Sequence, residues 1–190
     1  MESIPSADER LDYILSAMKK DRILHLVYKK YDSDQEKEYT IAPYCIKLYH
    51  RRWYMLARLD TSELRIFSID RIREIEIKDE AFLIDPNFDA EAYFYDCFGV
   101  VRAENMEPER IVLRAFGTEC HYLRDLPFHH SRREIAKTDD YTDFELYLRP
   151  TLDLQGQILS RGSRLKVISP QSLADRISQT LQEAAALYKV

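Results

Sequence analysis

Between Arg22 and Lys78 the chain changes period every few residues without ever leaving room for a long connection, and this restricts what it can build. Ile23, His25 and Val27 alternate with Leu24, Leu26 and Tyr28, as they would on a strand with two usable faces. The polar stretch YDSDQEKE then reads as a hairpin connection, and further strands follow at about 38–44, 52–59, 64–69 and 72–78. Breaks as short as Asp60 to Glu63 force neighbouring strands to run antiparallel. Five short strands so joined predict a small β-barrel, closed or nearly so, because closure removes exposed edges. Ahead of it, Leu11, Ile14, Leu15 and Met18 mark one face of a helix over 8–20, with Asp8 or Ser6 as its cap.

The second half has a longer rhythm. ERIVLRAF predicts a strand, 118–126 a helix stopped by Pro127, and 132–138 and 142–149 two more strands. Thr151 opens a helix through Ser160 that Gly162 terminates, and RLKVIS is the last strand. Ser169 and Pro170 read as cap and first-turn proline of a final helix, with Leu173, Ile177, Leu181, Ala185 and Tyr188 on one face. This order predicts an α/β sandwich in which helices cover one face of a mostly antiparallel sheet. The expected fold class is α+β. Its divisions are an N-terminal helical segment at 1–21, a barrel at 22–80, a helix-containing linker at 81–107 and an α/β domain at 108–190.

Chemistry is conspicuous mainly by what is missing. There is no HExxH, GxSxG, Walker-type loop or GxGxxG, and only four glycines to build a phosphate cradle. Cys45, Cys97 and Cys120 are widely spaced, which suits packing in a reducing cytosol better than a disulfide framework or metal knuckle. His129 and His130 are adjacent, so on a strand they would face opposite ways and could not chelate together without a bend. His25, between two leucines, reads as a partly buried, hydrogen-bonded histidine. No enzyme, metal or cofactor is expected. No apolar run reaches membrane-spanning length, and no leader follows Met1.

The stretch most suggestive of a site is HRRWYMLARLDTSELRIFSIDRI. Between Lys47 and Arg73 seven basic residues stand against three acids, in a chain of net charge -5. Arg52, Tyr54, Leu56 and Arg58 share one strand face and Trp53, Met55 and Ala57 the other; Arg65, Phe67 and Ile69 face one way on the next strand, and unbroken pairing would add Arg71. Arginines suit two-pronged contacts with phosphates, and aromatic rings offer stacking platforms. That reading gives an anionic ligand, such as a nucleotide or a short single strand. The plainer one has Trp53 and Phe67 filling a core while Arg65 and Arg71 pair with Asp70 and other acids, and patterning by itself favours it.

Trp53-Tyr54-Met55, with Tyr28 and Pro43 before it and RIFSIDRI after it, resembles a WYL domain, with Met55 in place of the leucine of the name. LPFHHSRRE and TLDLQGQILSRGSRLKVISPQSLADRI, ending near Tyr188, resemble the C-terminal extension that accompanies such domains in bacterial transcription regulators. The resemblance covers the chain from about residue 20. It implies an Sm-like, SH3-type barrel that senses a ligand, with single-stranded DNA, RNA or a nucleotide as candidates, and an extension that forms a homodimer. By matching position it makes Tyr28, Tyr54, Arg65 and Arg71 the ligand-binding residues, supported by Trp53, Phe67 and Asp70. The family's winged helix-turn-helix has no counterpart in the 8–20 helix, so operator DNA is expected as a partner only where such a domain lies on a longer chain. The expected function is a cytoplasmic ligand-sensing and dimerising module. The alternative is an oligomerisation or protein-interaction scaffold without a ligand.

Overall fold

The computed structural model of the chain describes residues 7–103 and 105–188. The chain falls into two compact units, Met1–Ala90 and Glu91–Val190.

The first unit opens with helix α1 (Ala7–Lys19). Ile14 and Ala17 are fully buried, with Leu11 and Met18 packed beside them, so one helical stripe lies on the sheet. Leu15, expected on that stripe, is partly exposed and Ala17 takes the inward place. The suggested cap Ser6 lies outside the described residues.

Five strands follow: β1 (Arg22–Lys29), β2 (Glu36–Tyr49), β3 (Arg52–Leu59), β4 (Leu64–Ser68) and β5 (Ile72–Ala81). Strand β2 is longer than the expected 38–44 because the chain stays extended past Pro43 through a shift of register between Pro43 and Cys45. The shift exchanges odd for even positions. Ile41 faces the core before it and Ile46 after it, while Tyr44 joins a second small cluster with Phe82 and Phe88. His50 and Arg51, both at positive φ, make the two-residue turn from β2 to β3.

The five strands form one antiparallel sheet in the order β4-β3-β2-β1-β5. The expected Sm-like, SH3-type barrel is therefore corrected to an open sheet: among the described residues β4 and β5 are its two edges, with no ladder between them. Tight joins made β2, β3 and β4 neighbours, but closure needs extended backbone where β4 would meet β5. There the chain instead makes a helical turn at Ile69–Arg71. The sheet nevertheless curls. At the β4 edge the Ser68 N–H donates to the Tyr28 hydroxyl on β1, 3.2 Å away, instead of to a strand carbonyl. Leu24, Leu26, Ile41, Met55, Phe67, Ile69 and Ile72 fill the inner face.

The second unit begins within α2 (Ala90–Phe94), whose first residue closes the first unit, and continues through β6 (Glu109–Phe116), α3 (Glu119–Asp125), β7 (Arg133–Lys137), β8 (Tyr141–Leu148), α4 (Leu152–Leu159), β9 (Leu165–Ser169) and α5 (Gln171–Ala186). Its antiparallel sheet has the order β7-β8-β6-β9. With the β-α-β-β-α-β sequence of elements this is the ferredoxin-like arrangement, extended by α5. Ile111, Leu113 and Ala115 on β6 and Phe144, Leu146 and Leu148 on β8 supply one sheet face, which meets Leu123, Leu154, Ile158, Leu173 and Ile177 from the helices. Ser169 does not cap α5. Its backbone is committed to the ladder opposite Val112, so Pro170 takes the cap position and its carbonyl receives the Leu173 and Ala174 amides.

The acid- and aromatic-rich segment after α2 is held by two side chains. Asp153 accepts the amides of Val100 and Val101, each at 2.9 Å. Buried Arg149 donates to Asp96 at 3.0 Å and to the carbonyls of Ala103 and Met106. Cys97 lies against this clamp. Burial first, and then the neighbouring Asp96 charge, push its thiol up to about 11. Cys97 is expected to react with iodoacetamide at pH 8 about a hundredfold more slowly in the native protein than an unperturbed thiol, because so little thiolate is present. Peptide mapping after timed alkylation checks this, and labelling at the rate of the unfolded chain would contradict it.

Candidate ligand site

Alternation brings part of the expected set together. On the inner face of the first sheet Tyr28 stands opposite Lys37, Leu26 opposite Tyr39, and Arg65 and Phe67 opposite Ala57 and Met55. Curling then brings the β4 side chains to those of β1 and β2. The rings of Tyr28, Tyr39 and Phe67 meet edge to face, with Phe67 5.2 Å from each tyrosine. Arg65 lies over the Tyr39 ring at 5.5 Å and donates to its hydroxyl at 3.2 Å, and Glu63 is 3.7 Å from its guanidinium. Phe67 is wholly buried and Trp53 packs on the same cluster.

Arg71 arrives by a different route. The strand ends at Ser68, so the helical turn, not pleating, sets its direction. Its guanidinium stacks on Tyr31, 4.1 Å from the ring centroid, and its buried Nε has no hydrogen-bond partner among the described residues. Burial raises the pKa of the Tyr28 hydroxyl, against the opposing pull of the Ser68 amide and Arg71. Tyr28 thus stays a neutral phenol with its own proton available to donate.

Asp70 organises the neighbouring corner. It accepts from the Tyr31 hydroxyl at 3.0 Å and from the Ser68 hydroxyl, and Arg52 is 3.5 Å away. Burial by itself would raise the Asp70 carboxyl, but these three partners hold it below its ordinary range, and Asp70 in turn raises Arg52. The acid beside Arg71 is therefore matched with Arg52, not with Arg71.

Tyr54 is not among the rings of the Tyr28–Tyr39–Phe67 cluster, but it lies near enough to Arg52 to act on its charge. It stands opposite Lys47 and Ser68, on the outer face of the sheet. Conversely, Tyr31, Tyr39, Lys30 and Lys37 belong to the surroundings of the cluster and were not singled out from sequence. Tyr39 carried a usable signal, two positions before the core residue Ile41 on an alternating strand. Tyr31 and Lys30 carried none, since they lie in the β1–β2 connection. Tyr28, Lys30, Asp32, Ser33, Gln35, Lys37 and Tyr39 wall a cavity of about 170 Å³ at this hairpin mouth.

Several titratable groups elsewhere have structural partners. His25 faces outward beside Thr40 and Glu38. His129 and His130 precede β7 and are not on a strand, so their rings lie 3.9 Å apart and do not point to opposite faces. The Ser131 amide donates to His129 Nδ1, which leaves Nε2–H to donate to the Tyr95 carbonyl at 2.8 Å. Among the described residues no group of three or more His, Cys, Asp or Glu is arranged to hold a metal ion. No helix among them is long and apolar enough to cross a membrane.

Known families supply the class. Residues 9–77 match the WYL domain and residues 107–185 match the WCX domain. The chain therefore carries an N-terminal WYL domain and a C-terminal WCX domain. WYL domains are non-catalytic regulatory modules. Among solved structures the chain is similar to proteasome accessory factor B/C (PafBC) of Arthrobacter aurescens, at 18% identity, covering 98% of this chain and 28% of that one, with a TM-score of 0.46. It is also similar to a CRISPR Cas-related protein at 13% identity, covering 96% of this chain and 52% of that one; the TM-score of 0.57 reflects a shared fold. The chain thus spans about half or less of the length of these two proteins. Comparison with curated proteins found no match.

Proposed function

We propose that this chain is the sensing and pairing part of a transcription regulator of the bacterial cytoplasm, and that its WYL sheet binds single-stranded DNA, RNA or a nucleotide-like anion. The observation that supports this most is the Arg71 guanidinium, held beside Tyr28 and stacked on an exposed ring, with a buried Nε that has no hydrogen-bond partner among the described residues. A buried donor without an acceptor is costly, and a phosphate or base oxygen would satisfy it. Arg65 and Arg71 meet phosphate oxygens and Tyr28 contributes its hydroxyl. Trp53 and Phe67 support them from the core, and Asp70 fixes the corner. Tyr54, on the outer face beside Arg52, would touch a ligand that extends past the Asp70 corner. Operator DNA would be read by a helix-turn-helix on a longer chain. In functional terms, 1–21 is a helical segment, 22–80 the sensor, 81–107 the linker and 108–190 the pairing domain.

Labelled single strands, duplexes and mononucleotides at two salt concentrations test the reading. Arg71→Ala and Arg65→Ala are each expected to weaken binding about tenfold or more, as charged hydrogen bonds are lost, and to flatten the salt dependence. Arg176→Ala, on α5, should change neither. Absence of binding at tens of micromolar in low salt would refute the nucleic-acid reading. The scaffold alternative is favoured by Arg65, whose charge already has Glu63 and Tyr39 as partners.

Pairing is proposed to run through the second unit. The α5 stripe is buried only at Leu173 and Ile177; Leu181 is 46% exposed, and Leu187 and Tyr188 beyond it are more so. Sedimentation should give about twice the 22.6 kDa chain mass. Leu181→Asp should shift it toward monomer without unfolding, since that side chain is half in solvent. A wild-type monomer would contradict the proposal.

A further inference from the structure

We infer that Tyr31 is a built-in stand-in for the ligand's aromatic base, stacked on Arg71 until a base bearing a phosphate displaces it. The inference rests on the proposed function and adds how access to that site is controlled.

Tyr31 sits at the start of the β1–β2 turn and is 69% exposed, an unusual place for a large ring that nonetheless has one defined seat. Its face lies on the Arg71 guanidinium and its hydroxyl is tied to Asp70 at 3.0 Å. Arg52, 6.0 Å from the ring centroid, also reaches Asp70. A planar ring on an arginine with a polar edge bonded nearby is the contact a nucleobase would make.

Leaving that seat costs little. Contacts at an exposed position hold the ring, namely the Asp70 hydrogen bond, the Arg71 stack and the nearby Arg52 guanidinium, and the turn is braced by the Gln35 amide on the Ser33 hydroxyl and by Lys29 near Asp34. Departure would uncover the Arg71 face while its unpartnered Nε stays in place. The adjoining hairpin mouth supplies the second half of the recognition. Lys30 and Lys37 wall its cavity and have no ion pair among the described residues, whereas Lys29 is near Asp34. Asp32 in the same wall opposes an anion, so the two lysines leave a single net positive charge there, suited to a phosphate. The base takes the place of Tyr31, and the phosphate attached to it faces Lys30 and Lys37.

Tyr31→Ala, Tyr31→Phe and Arg71→Ala are titrated beside wild type with a short oligothymidylate and, separately, thymidine monophosphate, with folding checked by circular dichroism. Tyr31→Ala should bind about two- to fivefold more tightly, the competition of an exposed cation–π contact having been removed. Tyr31→Phe, which keeps the ring but loses the tie to Asp70, should fall between Tyr31→Ala and wild type. The gain with the strand or with the mononucleotide identifies which source delivers the base. If Arg71→Ala loses binding while Tyr31→Ala binds no better or worse than wild type, the proposed function stands and the stand-in role is overturned. If every folded chain fails to bind either probe, the proposed function falls and the inference falls with it.

Discussion

Arg149→Met is expected to destabilise the second unit by about 3–5 kcal/mol, the range for removing one partner from a buried pair. Arg149 is buried at the end of β8 and its guanidinium is shared between the Asp96 carboxylate and the carbonyls of Ala103 and Met106. Methionine preserves much of the apolar stem but removes the donor to two carbonyls and leaves the Asp96 carboxylate with Arg102 as its remaining cation. Denaturant unfolding followed by far-ultraviolet circular dichroism reads the loss, and a midpoint like that of wild type would contradict it. The effect depends on pH in a definite direction. Burial alone would raise the Asp96 carboxyl, but Arg149 and Arg102 hold it below its ordinary value. A carboxyl lowered in the folded state adds stability above its unfolded pKa of about 3.9 and loses it as pH falls through the lower folded value. The gap between wild type and Arg149→Met should therefore narrow below about pH 4.

Phe67→Ala is expected to cost the first unit about 3–5 kcal/mol, the range for emptying a fully buried aromatic position. Phe67 lies at the junction of core and candidate site, with its ring 5.2 Å from both Tyr28 and Tyr39. Trp53, the only tryptophan, packs on the same cluster, so its fluorescence follows the unfolding of this unit. The cavity would also release the two tyrosines, so binding at the Arg65–Arg71 end should weaken even where the variant remains folded. Phe67→Leu retains apolar filling and should lose less of both. Equal losses for alanine and leucine would contradict this role of the ring.

The legible part of the site was the part that lies on regular strands. Tyr28 follows Leu24 and Leu26 at a spacing of two, and Arg65 follows the same rule with Phe67, so their sheet faces could be read from position. The same rule separated Tyr54 from Trp53; the family resemblance, not alternation, placed Tyr54 in one set with Tyr28. Arg71 escaped it because the chain leaves the strand after Ser68. Tyr31 had no period at all, and its role emerges from Asp70, 39 positions later.

Local patterning determined by itself that this chain would have short antiparallel strands first and alternating strands and helices afterwards. Hydrophobic period, turn residues and strand breaks act over a few neighbours and do not need the rest of the molecule. The same residues carried the WYL resemblance. Tertiary structure alone decided that the first sheet stays open, that Ser169 serves the β9 ladder instead of capping α5, and that Tyr31 rather than Asp70 engages Arg71. Each of these depends on competition between partners distant in sequence. The bond from Ser68 to Tyr28 spans 40 positions, and sheet curvature, not any local preference, brings its two ends together.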